Sequence, residues 1–96
     1  VARLPESAGI TVPHMGWNTL GLLRPSPLLE GIDPATRFYF VHSYAAPVTA
    51  DTVATASHGT AFAAVVQRGN FSGVQFHPER SGAAGARLLR NFVTLT

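Results

Sequence analysis

The stretch from Val74 to Gly82 places the strongest constraint on what this chain can fold into. Apolar and polar residues alternate over 74–77, which predicts the end of a strand with one buried face. Pro78 then ends the strand, because proline has no N–H for the ladder and biases the preceding residue toward extended backbone. In an extended segment, residues two apart project to the same side, with Cα atoms roughly 6.5 Å apart. We therefore expect the side chains of His77 and Glu79 to touch.

An imidazole held by a carboxylate supplies the base and the orienting group of a nucleophilic triad. The carboxylate fixes the tautomer of the ring and stabilises the imidazolium that forms when the histidine accepts a proton. The residues alone leave a second interpretation open, since an isolated His-x-Glu pair is usually an ordinary surface strand end. Under the first interpretation, His77 is a general base and Glu79 orients it.

One helix is predicted over 82–95, after a small Ser81-Gly82 step. Its apolar residues recur at helical spacing, and Ser81 is a candidate N-cap. The apolar positions are Leu88, Leu89, Phe92 and Val93, with Ala86 behind them. Because polar residues occupy the opposite side, we expect this helix to contribute packing rather than chemistry.

The chain before residue 74 is rich in short β-type segments. The aromatic run Arg37–Tyr44 predicts a strand whose Phe38 and Phe40 enter the core. Shorter strands are expected at Val1–Leu4 and Thr19–Leu23, and Ser26 is expected to cap a short helical turn.

A hairpin is predicted where two apolar segments, 51–57 and 61–67, bracket a short polar turn. Gly59 is expected in that turn. We expect His58 to lie at the tip, exposed to solvent.

Composition indicates one small globular domain. The 96 residues are 46% hydrophobic and 12% charged, with a formal net charge of +2, a balance typical of folded chains. The seven basic residues are all arginine and are scattered along the sequence, which argues against a nucleic-acid-binding face. No window has the apolar length of a membrane span, and no leader pattern is present. We expect a cytoplasmic protein that binds neither nucleic acid nor membrane.

The absence of cysteine excludes disulfides and cysteine-ligated metals within these 96 residues. The four histidines lack the paired spacing of metal ligands and have few carboxylates to join them, so we expect no metal site. They are His14, His42, His58 and His77. Ser43 is a chemical candidate for a nucleophile, but it lacks the flanking glycines of a nucleophile elbow.

The last quarter of the chain resembles the C-terminal signature of the class I (triad) glutamine amidotransferases. The residues that carry the resemblance are Gly73-Val74-Gln75-Phe76-His77-Pro78-Glu79-Arg80-Ser81, then Gly85 and Leu88-Leu89-Arg90-Asn91-Phe92. The resemblance implies that His77 and Glu79 complete a Cys-His-Glu triad that hydrolyses the side-chain amide of glutamine without a cofactor. It also implies an α/β, flavodoxin-like sandwich with a mixed central sheet. Because the family's nucleophile is a cysteine, we expect residues 1–96 to be the C-terminal part of a single amidotransferase domain. This part would lack the nucleophile elbow and be inactive alone.

The end of the aromatic strand, Phe40-Val41-His42-Ser43-Tyr44, also resembles this family. In the family, the backbone near the last two positions helps to hold the α-amino acid end of glutamine. The resemblance therefore assigns Ser43 and Tyr44 to substrate binding. Backbone groups just past a strand can do this without a charged side chain.

A third block, Pro13-His14-Met15-Gly16-Trp17-Asn18, is similar to one branch of the family. This branch comprises the glutaminase subunits of imidazole glycerol phosphate synthase in histidine biosynthesis, which pass ammonia to a barrel-shaped cyclase subunit. The resemblance implies that Trp17 and Arg80 lie at the cyclase interface, and both residue types are common in interface hot spots. The alternative is that Trp17 fills the core and Arg80 is an ordinary solvated charge.

Two other functions stay open on the sequence. The first is another branch of class I amidotransferase, which would serve a synthetase rather than a barrel cyclase. The second is a noncatalytic interaction module that kept the fold and lost the cysteine.

Overall fold

The computed structural model describes residues 2–4, 12–69 and 71–95. These ranges contain eight strands, two 3-10 turns and one α-helix. The strands are β1 (Ala2–Arg3), β2 (His14–Thr19), β3 (Gly21–Leu22), β4 (Arg37–His42), β5 (Tyr44–Ala45), β6 (Thr52–Ser57), β7 (Ala61–Arg68) and β8 (Phe71–Val74). The 3-10 turns are Pro27–Leu29 and Pro78–Arg80, and helix α1 is Gly82–Leu95.

The strands form two pairs and one four-stranded sheet. Strand β1 pairs with β5 and β2 with β4, while the larger sheet has the order β3-β6-β7-β8. The predicted α/β class is confirmed. Every strand pair in the described ranges is antiparallel, so the parallel pairs of the expected mixed sheet are not among them.

Aromatic side chains form the centre of the core, as the sequence predicts for Phe38 and Phe40, which are both buried. The ring of Phe76 lies 4.3 Å from that of Phe38 and 5.7 Å from that of Phe40, measured between centroids. Phe62 packs edge-on against Phe40 from the larger sheet. The segment that leads into His77 is therefore anchored to the core one residue earlier, at Phe76.

The predicted hairpin is confirmed as β6 and β7, with Gly59 at a positive φ of 79° in the turn. The expectation for His58 is wrong. Its ring stacks on that of His14 at a centroid distance of 4.3 Å, because the turn folds back over β2 instead of projecting into solvent.

Helix α1 is confirmed with the predicted bounds, but its packing differs from the prediction. Of the predicted apolar stripe, Leu88 is buried, whereas Leu89, Phe92 and Val93 are exposed. The polar side also makes contacts: Asn91 Nδ2 donates to the carbonyls of Leu28 and Glu30. The helix therefore docks on the first 3-10 turn partly through hydrogen bonds.

Several smaller predictions are settled by the described residues. Ser26 caps the first 3-10 turn as predicted, since its Oγ accepts from the Leu28 N–H at 3.2 Å. The Arg37–Tyr44 run is interrupted by a bend at Ser43, and the Thr19–Leu23 strand is reduced to β3 after the end of β2. The strand predicted at Val1–Leu4 is β1 over Ala2–Arg3, and Val1 lies outside the described residues. No helix in these ranges is long and apolar enough to cross a membrane.

Candidate active site

The predicted contact between His77 and Glu79 is confirmed. Nδ1 of His77 lies 3.2 Å from Oε2 of Glu79. The predicted route to this contact is wrong, because β8 ends at Val74 and residues 78–80 form a 3-10 turn with His77 at its N-cap. The carboxylate reaches the ring because the chain coils back after Pro78, rather than because an extended strand aligns the two side chains.

Both members of this pair are accessible. The side chain of His77 is 41% exposed and that of Glu79 is 61% exposed. An ion pair with this exposure contributes little to stability, so its chemical value lies in orienting the ring. Because Nδ1 faces the carboxylate, Nε2 is the ring nitrogen placed to exchange a proton with another group.

The backbone of His77 is held on both sides by neighbouring elements. Its N–H donates to the carbonyl of Tyr39 in β4 at 2.9 Å, and its carbonyl accepts from Ser81 Oγ at 2.6 Å. Ser81 Oγ in turn accepts from the Tyr39 N–H at 3.0 Å. The prediction that Ser81 caps α1 is wrong for its side chain. The hydroxyl instead joins β4 to the turn that carries His77.

A close approach between α1 and the same turn completes this arrangement. A Cβ atom at Gly85 would overlap the carbonyl oxygen of Pro78. Only glycine lets the helix lie this near to the turn. Gly85 is one of the residues that resemble the family signature, and this contact gives it a structural role.

The candidate substrate-binding residues lie where β4 bends into β5. The carbonyl of Ser43 accepts from the Leu4 N–H at 2.7 Å, and Tyr44 pairs with Arg3 and is exposed. His77 contacts β4 through the carbonyl of Tyr39, and the same strand ends at His42, next to the bend. The Ser43–Tyr44 bend and the candidate base therefore both adjoin β4.

Three of the four histidines come together beside this bend. His14 Nδ1 lies 3.0 Å from His42 Nε2, and His42 Nδ1 lies 3.0 Å from the carbonyl oxygen of Tyr44. Burial lowers the pKa of His14 from 6.5 to about 4, and nearby His58 and His42 act in the same direction. Burial also lowers the pKa of His42, against an opposing hydrogen bond to Tyr44.

The histidine cluster is not arranged as a metal site. Among the described residues, no group of three or more His, Cys, Asp or Glu has geometry that could hold a metal ion. In His42, both ring nitrogens already face hydrogen-bond partners.

The candidate interface residues are both on the surface. Trp17 is 52% exposed and lies beside the ring of Tyr39, with centroids 5.6 Å apart. Within the described part of the chain, Trp17 therefore lies on the surface and not in the core. Arg80 is exposed at the end of the second 3-10 turn, and its N–H donates to the carbonyl of His77 at 3.0 Å. Tyr39 thus connects the strand of Trp17 to the base.

Comparison with known proteins identifies the family of this chain. The family model described as "Glutamine amidotransferase class-I" matches residues 7–95. The chain belongs to the class I glutamine amidotransferase family.

Within that family, the chain is similar to proteins named imidazole glycerol phosphate synthase subunit HisH. It is 56% identical over all 96 residues to the protein from Xanthomonas euvesicatoria pv. vesicatoria (strain 85-10), where it covers 48% of the relative. It is 52% identical over 93 residues to the protein from Vibrio cholerae serotype O1 (strain El Tor Inaba N16961), covering 97% of this chain and 46% of the relative. The chain therefore spans about half the length of the curated relatives it matches.

Proposed function

We propose that the complete protein is the glutaminase subunit of imidazole glycerol phosphate synthase. It hydrolyses glutamine to glutamate and ammonia, and the ammonia passes to a cyclase subunit. The single observation that carries this proposal is the contact between His77 and Glu79 at 3.2 Å. The backbone of His77 is hydrogen-bonded to Tyr39 in β4. The similarity to HisH subunits over the whole chain supports the choice of branch.

The proposed chemistry assigns a separate task to each group. A cysteine thiolate attacks the carboxamide carbon of glutamine, and His77 Nε2 protonates the departing ammonia. His77 then takes a proton from water, which attacks the thioester and releases glutamate. Glu79 keeps the ring in the required tautomer and stabilises its positive charge. The backbone at Ser43 and Tyr44 holds the α-amino acid end of the substrate.

Residues 1–96 supply the base, its orienter and the substrate-holding bend. They contain no cysteine, so the nucleophile belongs to the remaining half of the protein in this proposal. We propose accordingly that the chain is the C-terminal part of one amidotransferase domain. The reaction itself uses no cofactor, since the thiolate and the imidazole provide both the nucleophile and the proton transfers.

The test is glutamine hydrolysis by the complete protein together with its cyclase. His77→Ala should lower kcat by at least about 10²-fold, because general acid–base catalysis is lost. Glu79→Gln should be milder, because an amide can still hold the ring but cannot stabilise its charge. Glu30→Gln, an exposed carboxylate away from His77, is the matched control. A complete protein that forms no glutamate, or a fully active His77→Ala variant, would refute the proposal.

The proposed partner surface is centred on Trp17 and Arg80. It is supported by the exposure of both residues and by their links to His77. Trp17 pairs with Tyr39, which accepts from the His77 N–H, and the Arg80 N–H donates to the His77 carbonyl. Ammonia released beside His77 would then emerge next to the cyclase.

Binding of the complete subunit to the cyclase tests this surface. Trp17→Ala should weaken association by about 2 kcal/mol or more if it is a hot spot, and Arg80→Ala should also weaken it. Matched controls are Phe71→Ala and Arg90→Ala, which change exposed residues on β8 and α1. Unchanged affinity in both test variants, with the fold intact, would remove this surface. Preference for a synthetase over the cyclase would favour another branch of the family.

A further inference from the structure

The two buried histidines form a hydrogen-bonded chain with one possible direction. The carbonyl oxygen of Tyr44 can only accept, so the proton of His42 lies on Nδ1. Its Nε2 then carries a lone pair and must accept from Nδ1–H of His14 at 3.0 Å. The tautomers of both rings are therefore fixed by a single backbone carbonyl at the end of the chain.

This arrangement places polar groups where the core would otherwise be apolar. His14 is 4% exposed and His42 is 9% exposed, and the rings of Phe40 and Phe62 lie against both. Buried polar groups destabilise a fold unless they are hydrogen-bonded. The lowered pKa of each ring keeps the pair neutral, which lets it act as a directional chain of donors and acceptors.

The chain ends on the bend that carries the candidate substrate-binding residues. The contact from His42 to the Tyr44 carbonyl closes a three-residue turn with Ser43 at its apex. On the other side of the bend, the Leu4 N–H holds the Ser43 carbonyl at 2.7 Å. The carbonyls of Ser43 and Tyr44 thus each accept a hydrogen bond, one from Leu4 and the other from His42.

We propose that His14 and His42 are positioning residues that hold the Ser43–Tyr44 backbone in the conformation that binds the α-amino acid end of glutamine. This inference rests on the proposed glutaminase function. His42 contacts the backbone directly, and His14 acts through His42 by fixing its tautomer. Neither residue takes part in the chemical step, which belongs to the cysteine, His77 and Glu79.

The experiment measures KM and kcat for glutamine in the complete protein with its cyclase. His42→Leu should raise KM about tenfold, the effect of losing one buried hydrogen bond, with kcat nearly unchanged. His42→Asn should restore much of the affinity, because its amide nitrogen can donate to Tyr44 from about the position of Nδ1. His14→Phe should give an intermediate KM, because it leaves the lone pair of His42 Nε2 without a donor.

If His14 and His42 served only the stability of the fold, their substitutions would not raise KM selectively. Phe62→Leu, a buried apolar change beside the same rings, serves as the control for general loss of stability and should leave KM unchanged. An unchanged KM in folded His42→Leu, a loss of kcat without a change in KM, or equal effects of Asn and Leu would each overturn the inference. If His42→Leu does not fold, an unchanged KM in His14→Phe overturns it.

Failure of the inference and failure of the proposed function look different in this experiment. An unmodified complete protein that does not hydrolyse glutamine refutes the function. An active unmodified protein whose KM is insensitive to His42 and His14 refutes only the positioning role.

Discussion

At the scale of single residues, Ser81 joins the backbone of the candidate base to strand β4. The residue is 3% exposed, and its hydroxyl donates to the His77 carbonyl and accepts from the Tyr39 N–H. A buried hydroxyl with both functions satisfied fixes the distance between the strand and the turn. Under the proposed function, Ser81 is therefore a positioning residue, since it would act on the reaction only through the backbone of His77.

Ser81→Ala should lower kcat of the complete enzyme by about tenfold or more, because small misplacements of a catalytic group are costly. KM for glutamine should change little, since Ser81 does not contact the Ser43–Tyr44 bend, which is proposed to hold the substrate. Ser57→Ala, at an exposed serine at the end of β6, is the control. A rise in KM with kcat preserved would contradict this role.

At the scale of elements, the contact between α1 and the second 3-10 turn determines where His77 and Glu79 lie. The helix passes so near the turn that a side chain at Gly85 would meet the Pro78 carbonyl. The N–H of Gly85 donates to the Ser81 carbonyl at 3.3 Å, which joins the turn to the first turn of the helix. The position of Glu79 therefore depends on how the helix packs.

Gly85→Ala should destabilise the complete protein by about 1–3 kcal/mol, the usual cost of overpacking. The sign of this change is informative, because replacing glycine by alanine inside a helix normally stabilises the protein by up to about 1 kcal/mol. Ala86→Gly, at the exposed neighbouring position, measures the difference in helix propensity between alanine and glycine without a packing effect. Urea unfolding of both variants checks the prediction, and a more stable Gly85→Ala protein would show that the approach is not tight.

The histidine cluster between β2, β4 and the β6–β7 turn should make stability depend on pH. The pKa of His14 is about 4 in the fold against 6.5 ordinarily, so between these values the unfolded chain binds a proton that the folded chain does not. The free energy of unfolding should therefore fall as pH falls from about 6.5 to about 4, by at most about 1.4 kcal/mol per pH unit from this group. His42 contributes in the same direction.

Urea unfolding of the complete protein across this pH range is the measurement. His14→Phe should flatten the dependence, because that position no longer binds a proton in the unfolded chain. A slope that survives His14→Phe unchanged would assign the effect to other groups.

At the scale of the whole molecule, large apolar side chains remain exposed in the described part. They include Met15 on β2, Leu22 on β3 and Val93 on α1. Exposed apolar side chains on several elements are typical of surfaces that other parts of a protein cover. This agrees with a chain that spans about half the length of the relatives it matches.

The isolated 96-residue chain should release no glutamate from glutamine, because a base and its orienter cannot replace a thiolate in a covalent mechanism. Adding the remaining half of the protein as a separate chain should restore hydrolysis if the two parts associate. Glutamate production by the purified 96-residue chain, abolished by His77→Ala, would contradict the cysteine-dependent mechanism.

The sequence alone predicted much of the local structure correctly. Helix α1, the β6–β7 hairpin and the buried Phe38 and Phe40 follow from periodicity and turn chemistry, which act over a few residues. The His77–Glu79 contact was predicted because the two residues are close in sequence, although through the wrong backbone geometry. The family is indicated by short blocks of residues that resemble its signature, and the comparison confirms the family.

Tertiary structure decided the features that join distant segments. Ser81 meets Tyr39 across 42 positions, and His14 meets His42 across 28. No local pattern marks such partners, because a hydroxyl or an imidazole has the same helix or strand propensity whichever group it later meets. His58 was expected in solvent for the same reason, and it stacks on His14 only because the hairpin turn folds back over β2. The sequence thus determined the elements and the chemical groups near His77, whereas packing between elements determined how firmly those groups are held.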